Sequence, residues 1–183
     1  MKRYTTTPAG AAEPIRIEQV FAEKPGGGLV EDPGFDVPET TAVYAKGNGK
    51  YAVIKAYRLA AAVAKADTTL KIAKGSGIAV GDVLAFGKKG GACTAIDTSA
   101  ADSDKVTVTM GVDIPAGSVL YQAKAESADA AVPVGTPVYV TGNALAGGMG
   151  EQPLRLVNGA NLRKETACMG DDIAGQMKNI TLV

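Results

Sequence analysis

The chain has 183 residues, with 19 basic and 19 acidic side chains, no histidine and no tryptophan. Zero formal net charge with no basic block removes counterion release from nucleic acid as a source of affinity, and the missing histidine removes Ser-His-Asp and Cys-His catalysis and the commonest zinc ligand. Apolar residues make up 46% of the chain, but alanine alone supplies 31 and aromatics only 5%, so the expected core is thin, built from Val, Ile, Leu and Ala, and inclined to lean on partner subunits.

The opening "MKRYTTTPAGAAEP" has no apolar segment behind its basic start, so it reads as no signal peptide. No stretch approaches the ~20 apolar residues of a membrane span, so no membrane partner is expected. Cys93 and Cys168 stand outside any CxxC spacing and read as free thiols of a protein made in a reducing cytoplasm.

Residues 1–49 hold Pro8, Pro14, Pro25, Pro33 and Pro38 together with seven glycines. Proline removes ladder donors and glycine raises the entropy cost of ordering, so this segment reads as an extended arm. "IRIEQVF" at 15–21 is its one β patch, with Ile15 and Ile17 alternating with Arg16 and Glu18. Ile15, Ile17, Val20 and Phe21 are the candidate contacts to a partner surface or a neighbouring subunit.

From Lys50 to Val183 the texture is that of one β-rich domain. "YRLAAAVAKA" (57–66) has helical propensity, but Tyr57, Leu59, Ala61 and Val63 alternate with smaller or polar residues, and the strand reading is preferred. A gap-free repeat of 36 residues follows. Leu70 matches Val106, Ile72 matches Val108, Gly75 matches Gly111, Ile78 matches Ile114, Gly81 matches Gly117, and Val83-Leu84 matches Val119-Leu120. Each unit reads as a strand, a glycine break, an apolar plug, a turn glycine and a second strand. "VPVGTPVYV" repeats the second half, with Gly135 as its turn glycine. The units are expected to be two related hairpin-like elements of one small β-barrel or sandwich. "CTAIDTSAADSDKVTVTM" joins them as a hairpin, with its second strand over Val106 to Met110. "GDDIAGQMKNI" reads as a short C-terminal helix capped by Asp171, with Ile173 and Met177 on one face.

Motifs of chemistry are weak. Asp171-Asp172 reads as helix capping. "DTSAADSD" lacks the ligand periodicity of a calcium loop, and "GKKGG", "GNGK" and "KGSGIAVG" fail the phosphate-loop and dinucleotide spacings. No catalytic residue, cofactor or metal is expected.

Two resemblances attach to these stretches. "IAVGDVL" resembles the strand entry of biotinyl and lipoyl carrier domains, which would make Lys105 in "SDKVT" the modified lysine. The ordered series "IKAYRL", "ADTTLKIAKGSGIAVGDVL", "CTAIDTSAADSDKVTVTMG", "AGSVLYQAKAESADA", "TPVYVTGN", "RKETA" and "MKNITLV" resembles the head fibre or head decoration proteins of tailed bacteriophages. That resemblance implies a virion structural protein on the capsid surface, partnered by the major capsid protein and by itself, with a trimer as the expected oligomer. A host-glycan-binding β module is a further alternative, disfavoured by the shortage of aromatic platforms.

Overall fold

A computed structural model describes residues 14–183. The chain opens with β1 (Ile17–Glu23), β2 (Gly28–Val30), β3 (Ala42–Gly47) and β4 (Lys50–Val53). The middle holds β5 (Ala56–Arg58), β6 (Thr69–Ala73), β7 (Val83–Phe86), β8 (Lys89–Ala92), β9 (Ala95–Asp97), β10 (Ser103–Thr107) and β11 (Val119–Ala123). The end supplies β12 (Pro137–Thr141), β13 (Gln152–Leu154), β14 (Leu156–Leu162), the short helix α1 (Asp171–Ala174) and β15 (Ile180–Leu182).

Both ends of the chain build one sheet, in the order β1-β14-β12-β3-β4-β2-β13, with β15 parallel to β14. The middle is inserted between β4 and β12 and forms two smaller sheets, β5-β11-β7-β8 and β6-β10-β9. The sheets curl into a half-barrel, so the protein is mainly β with one short C-terminal helix, as its alternating segments indicate.

The 36-residue repeat explains the insert. The two units do not each fold back on themselves. They pair with each other, antiparallel, each strand pair centred on one matched position, beyond which the register carries matched residues apart, so that Ile72 faces Asp104 and Leu84 faces Gln122. Leu70 of β6 lies opposite Val106 of β10, and Ala85 of β7 lies opposite Tyr121 of β11. The flanking strands obey the same two-fold relation. Arg58 of β5 pairs with Val119, as Ala92 of β8 pairs with Val83. Leu59 N–H donates to Ser118 O at 2.9 Å, as Cys93 N–H donates to Asp82 O at 2.8 Å. Between the two small sheets lies one core, in which Tyr57, Leu70, Ile72, Leu84, Val106, Ile114 and Leu120 are buried. The plug residue of the second unit, Ile114, is buried completely, and that of the first, Ile78, is packed at the margin.

Turn glycines act at the positions the repeat marks. Gly81 has φ +93° and Gly117 has φ +78°, conformations a side chain resists. Gly135 differs: its φ is not positive, and an added Cβ would stand 2.2 Å from the Tyr44 ring. It is small because β3 approaches closely, not because a turn demands it.

Several local expectations shift. Of the segment read as an arm, residues 1–13 lie outside the described residues, and much of the remainder enters the large sheet as β1, β2 and β3. Pro25, Pro33 and Pro38 sit between strands, where no ladder donor is lost. In the alanine-rich stretch the strand covers only Ala56–Arg58, but Leu59 and Val63 continue as isolated bridges to Ile72 and Ile114. The strand expected over Val106 to Met110 is shifted to Ser103–Thr107, where it pairs along the whole of β6, and Val108 to Met110 lie past its end. Helix α1 has four residues and starts after Gly170, so Asp171 is its first residue rather than its cap. Met177 lies beyond the helix, so the two do not share a helical face, although Ile173 and Met177 are both buried in the same core.

Leu120→Ala removes a fully buried side chain at the centre of the paired repeat units. It is expected to lower unfolding stability by about 3 kcal/mol in urea denaturation, against under ~0.5 kcal/mol for the exposed Val132→Ala.

Candidate functional site

Two regions carry the side chains of interest: the outer edge made by β1, and the junction between the large sheet and the insert. Strand β1 runs antiparallel to β14, pairing Ile17 with Leu162 and Val20 with Ala160. Register shifts interrupt the pairing after Ile17 and after Val20. They break the simple alternation that Ile15 and Ile17 suggest, because each bulge advances the chain by one residue. Ile17 and Val20 therefore pack against the core, while Ile15 and Phe21 are each 58% exposed. Phe21 is the one aromatic side chain classed as exposed among the described residues. Arg163 pairs with Glu18 and Arg155 with Glu23, and Thr166 Oγ1 donates to Ile15 O, so the strand is held along its length. Such exposed pairs contribute little stability individually, about 0–1 kcal/mol, but they set the strand's orientation.

The junction is organised by Asp82, the aspartate of "IAVGDVL". Its carboxylate accepts from Lys55 Nζ at 2.9 Å, from Tyr57 Oη at 3.1 Å and from Ala79 N–H at 2.9 Å. Lys55 sits between β4 and β5, where the chain passes from the large sheet into the insert. It also donates to Gly77 O at 2.9 Å and lies 5.8 Å from the centre of the Phe35 ring. Burial first, and then the Asp82 charge, push the Tyr57 phenol far above its ordinary range, so it remains a donor.

Cys168 lies on the same junction. Its N–H donates to Thr40 Oγ1 at 2.8 Å. Thr40 is fully buried at φ +68°, a strained conformation for a β-branched residue. The strand ends hold it there, since Thr40 N–H donates to Thr141 O at 2.7 Å. Burial raises the Cys168 thiol pKa, with the Arg16 and Arg58 guanidiniums pulling the other way. Burial and the Asp82 charge raise the Cys93 thiol likewise. These are poor nucleophiles at neutral pH.

The remaining sequence candidates are scattered. Lys105 stands in mid-strand between Lys71 and Asp97, not at a hairpin tip. Asp171 pairs with Lys164 at 2.8 Å, and Asp172 Oδ2 accepts from Gly87 N–H at 2.7 Å, tying α1 to the β7–β8 turn. Among the described residues no cluster of three or more His, Cys, Asp or Glu is placed to hold a metal, and no helix is long and apolar enough to cross a membrane. The Asp82 network was missed in the sequence, although its aspartate stood inside a quoted motif; the partner Lys55 lies 27 residues away and carries no local signal.

Comparison of the chain with protein-family models, with curated proteins and with solved structures finds no match.

Asp82→Ala leaves Lys55 with its charge uncompensated at the junction, where the two side chains are 17% and 12% exposed. The variant is expected to lose about 3 kcal/mol in urea denaturation. Both thiols should react with a disulfide reagent at pH 8 far more slowly in the native protein than in denaturant. Their rates should rise as pH climbs past the ordinary thiol range, because a raised pKa delays formation of the thiolate.

Proposed function

We propose that the protein is a virion structural component that binds the surface of a tailed-phage head as a decoration or head fibre protein, acting by attachment rather than by catalysis. The observation that carries this reading is the β1 edge, where Phe21 in the strand and Ile15 just before it are each 58% exposed, the strand being anchored by ion pairs to Arg155 and Arg163 on either side of β14. Large apolar side chains on a held surface strand are what an interface core requires. The ordered resemblance along residues 54–183 supports the same reading, as do the balanced charges of a chain that does not repel its own copies.

The major capsid protein is the proposed partner, and a homo-oligomer, a trimer, the proposed form on the particle. A lattice repeats its sites, so modest contacts at each subunit add by avidity. The virion surface is the proposed location. The carrier-domain alternative is weakened by the mid-strand position of Lys105, and the glycan-binding alternative by Phe21 being the one exposed aromatic among the described residues.

Purified chain mixed with phage heads that lack it is expected to co-sediment with them. The double variant Ile15→Asp, Phe21→Asp should bind at least about tenfold more weakly, as loss of one interfacial anchor implies, while its far-UV circular dichroism stays unchanged. Undiminished co-sedimentation of that variant would remove the edge from the attachment surface, and failure of the native chain to bind heads would remove the function.

A further inference from the structure

The large sheet and the insert meet along a cleft of about 340 Å³. Its walls come from segments far apart in sequence: Arg16 ahead of β1, Phe35 between β2 and β3, Arg58 in β5, Ser76 after β6 and Cys168 after β14. Phe35 reaches the wall from a loop, residues 32–36, that belongs to no strand.

Backbone bonds bound this loop at both ends. Glu31 N–H donates to Tyr51 O at 2.8 Å, and Val37 and Leu145 exchange both of their hydrogen bonds at 2.8 Å. Between those points side chains hold the loop. Asp32 accepts from Gly34 N–H at 2.7 Å and from Gly150 N–H at 2.8 Å, and Asp36 accepts from Gly147 N–H at 2.9 Å. These bonds are exposed, so water replaces them at little cost.

The apolar anchor is Phe35 itself. A Cβ added to Gly77, in the β6–β7 connection, would stand 2.3 Å from the Phe35 ring. One added to Gly147, in the β12–β13 connection, would stand 2.3 Å from the Phe35 main chain. The loop is therefore seated in a slot that one glycine of the insert and one of the large sheet keep open. Lys55 completes the slot. Its Nζ lies 5.8 Å from the ring centre and donates to Gly77 O and to Asp82 Oδ2, each at 2.9 Å. The ring thus ties sheet to insert and leans on the lysine of the junction ion pair.

We propose that residues 32–36 form a strap across the junction, with Phe35 as its latch, and that the strap lifts between Glu31 and Val37 as a unit, opening the cleft and exposing Cys168 while the large sheet and the insert stay folded. The reason is a contrast in what holds each part. The strap has exposed polar bonds and one ring, whereas the strands at its ends are fixed by a core that includes Val30, Val37, Val43, Leu145 and Leu156. Opening free energies within one protein follow such contrasts, and the least buried unit opens first. The exposed Gly34, at φ +82°, gives the strap its bend. The device works within one chain and does not depend on the attachment reading.

Cys168 lines the cleft and reports the opening, and Cys93, 2% exposed in the core of the insert, reports global unfolding. Full-length protein is alkylated with iodoacetamide at pH 8 over a range of urea concentrations below its unfolding transition, and each cysteine is followed by peptide mass. The Cys168 rate is expected to stay nearly flat with urea, because lifting a short loop exposes little surface, while the Cys93 rate climbs with the slope of global unfolding. Phe35→Ala should raise the flat Cys168 rate at least about tenfold by shifting the opening equilibrium, and Phe35→Leu, which refills the slot, should raise it less. Gly147→Ala keeps the ring but sets a Cβ against the strap's main chain, and should also speed Cys168. The proposal is overturned if Cys168 and Cys93 share one urea slope in the native protein, or if either Phe35→Ala or Gly147→Ala leaves the Cys168 rate where it stands.

Discussion

The structure depends on the antiparallel meeting of two similar sequence units. Neither unit forms a sheet core alone: each offers a pair of short strands, and those strands fall into different sheets. When Leu70 stands against Val106 and Ala85 against Tyr121, the four strands complete two sheets together and their apolar faces close on one another. Burial is the driving term, at roughly 25 cal/mol for each Å² of apolar surface removed from water. A chain so poor in aromatics reaches a closed core by using the same pattern twice, and the glycines at φ +93° and +78° let the two turns form alike.

The large sheet has a different logic. Its strands come from both ends of the chain, so the insert must leave and return at neighbouring points. Lys55 and Asp82 secure the point of departure with an ion pair that is mostly shielded from solvent. Such a pair adds little net stability beyond what apolar residues would give, but it is intolerant of losing one member. Its effect is to fix one arrangement of insert against sheet. The cleft lined by Arg16, Arg58 and Cys168 exists because that arrangement is fixed.

The outer edge and the cleft illustrate opposite uses of surface. Along β1 the carboxylates of Glu18 and Glu23 are paired, while Phe21, and Ile15 just before the strand, are left to solvent. In the cleft the lysines are met instead, Lys55 by Asp82 and Lys74 by Asp104.

The mainly β class, the turn glycines Gly81 and Gly117 and the kinship of the two units were all legible from residue order, because side-chain alternation and φ preference are local properties. Local pattern also marked Tyr57, Leu59 and Val63 as inward-facing despite their alanine-rich setting. Tertiary structure decided the rest. A 36-residue repeat suits two hairpins as well as it suits two units that pair across an axis, since both bury the same alternating faces; only long-range pairing distinguishes them. The bulges that turn Val20 inward and Phe21 outward depend on β14, more than 130 residues away along the chain. Arg16, Arg58, Ser76 and Cys168 share no spacing at all. They meet because two sheets close on each other, and a linear pattern holds no record of which distant surfaces will be brought together when apolar area is buried.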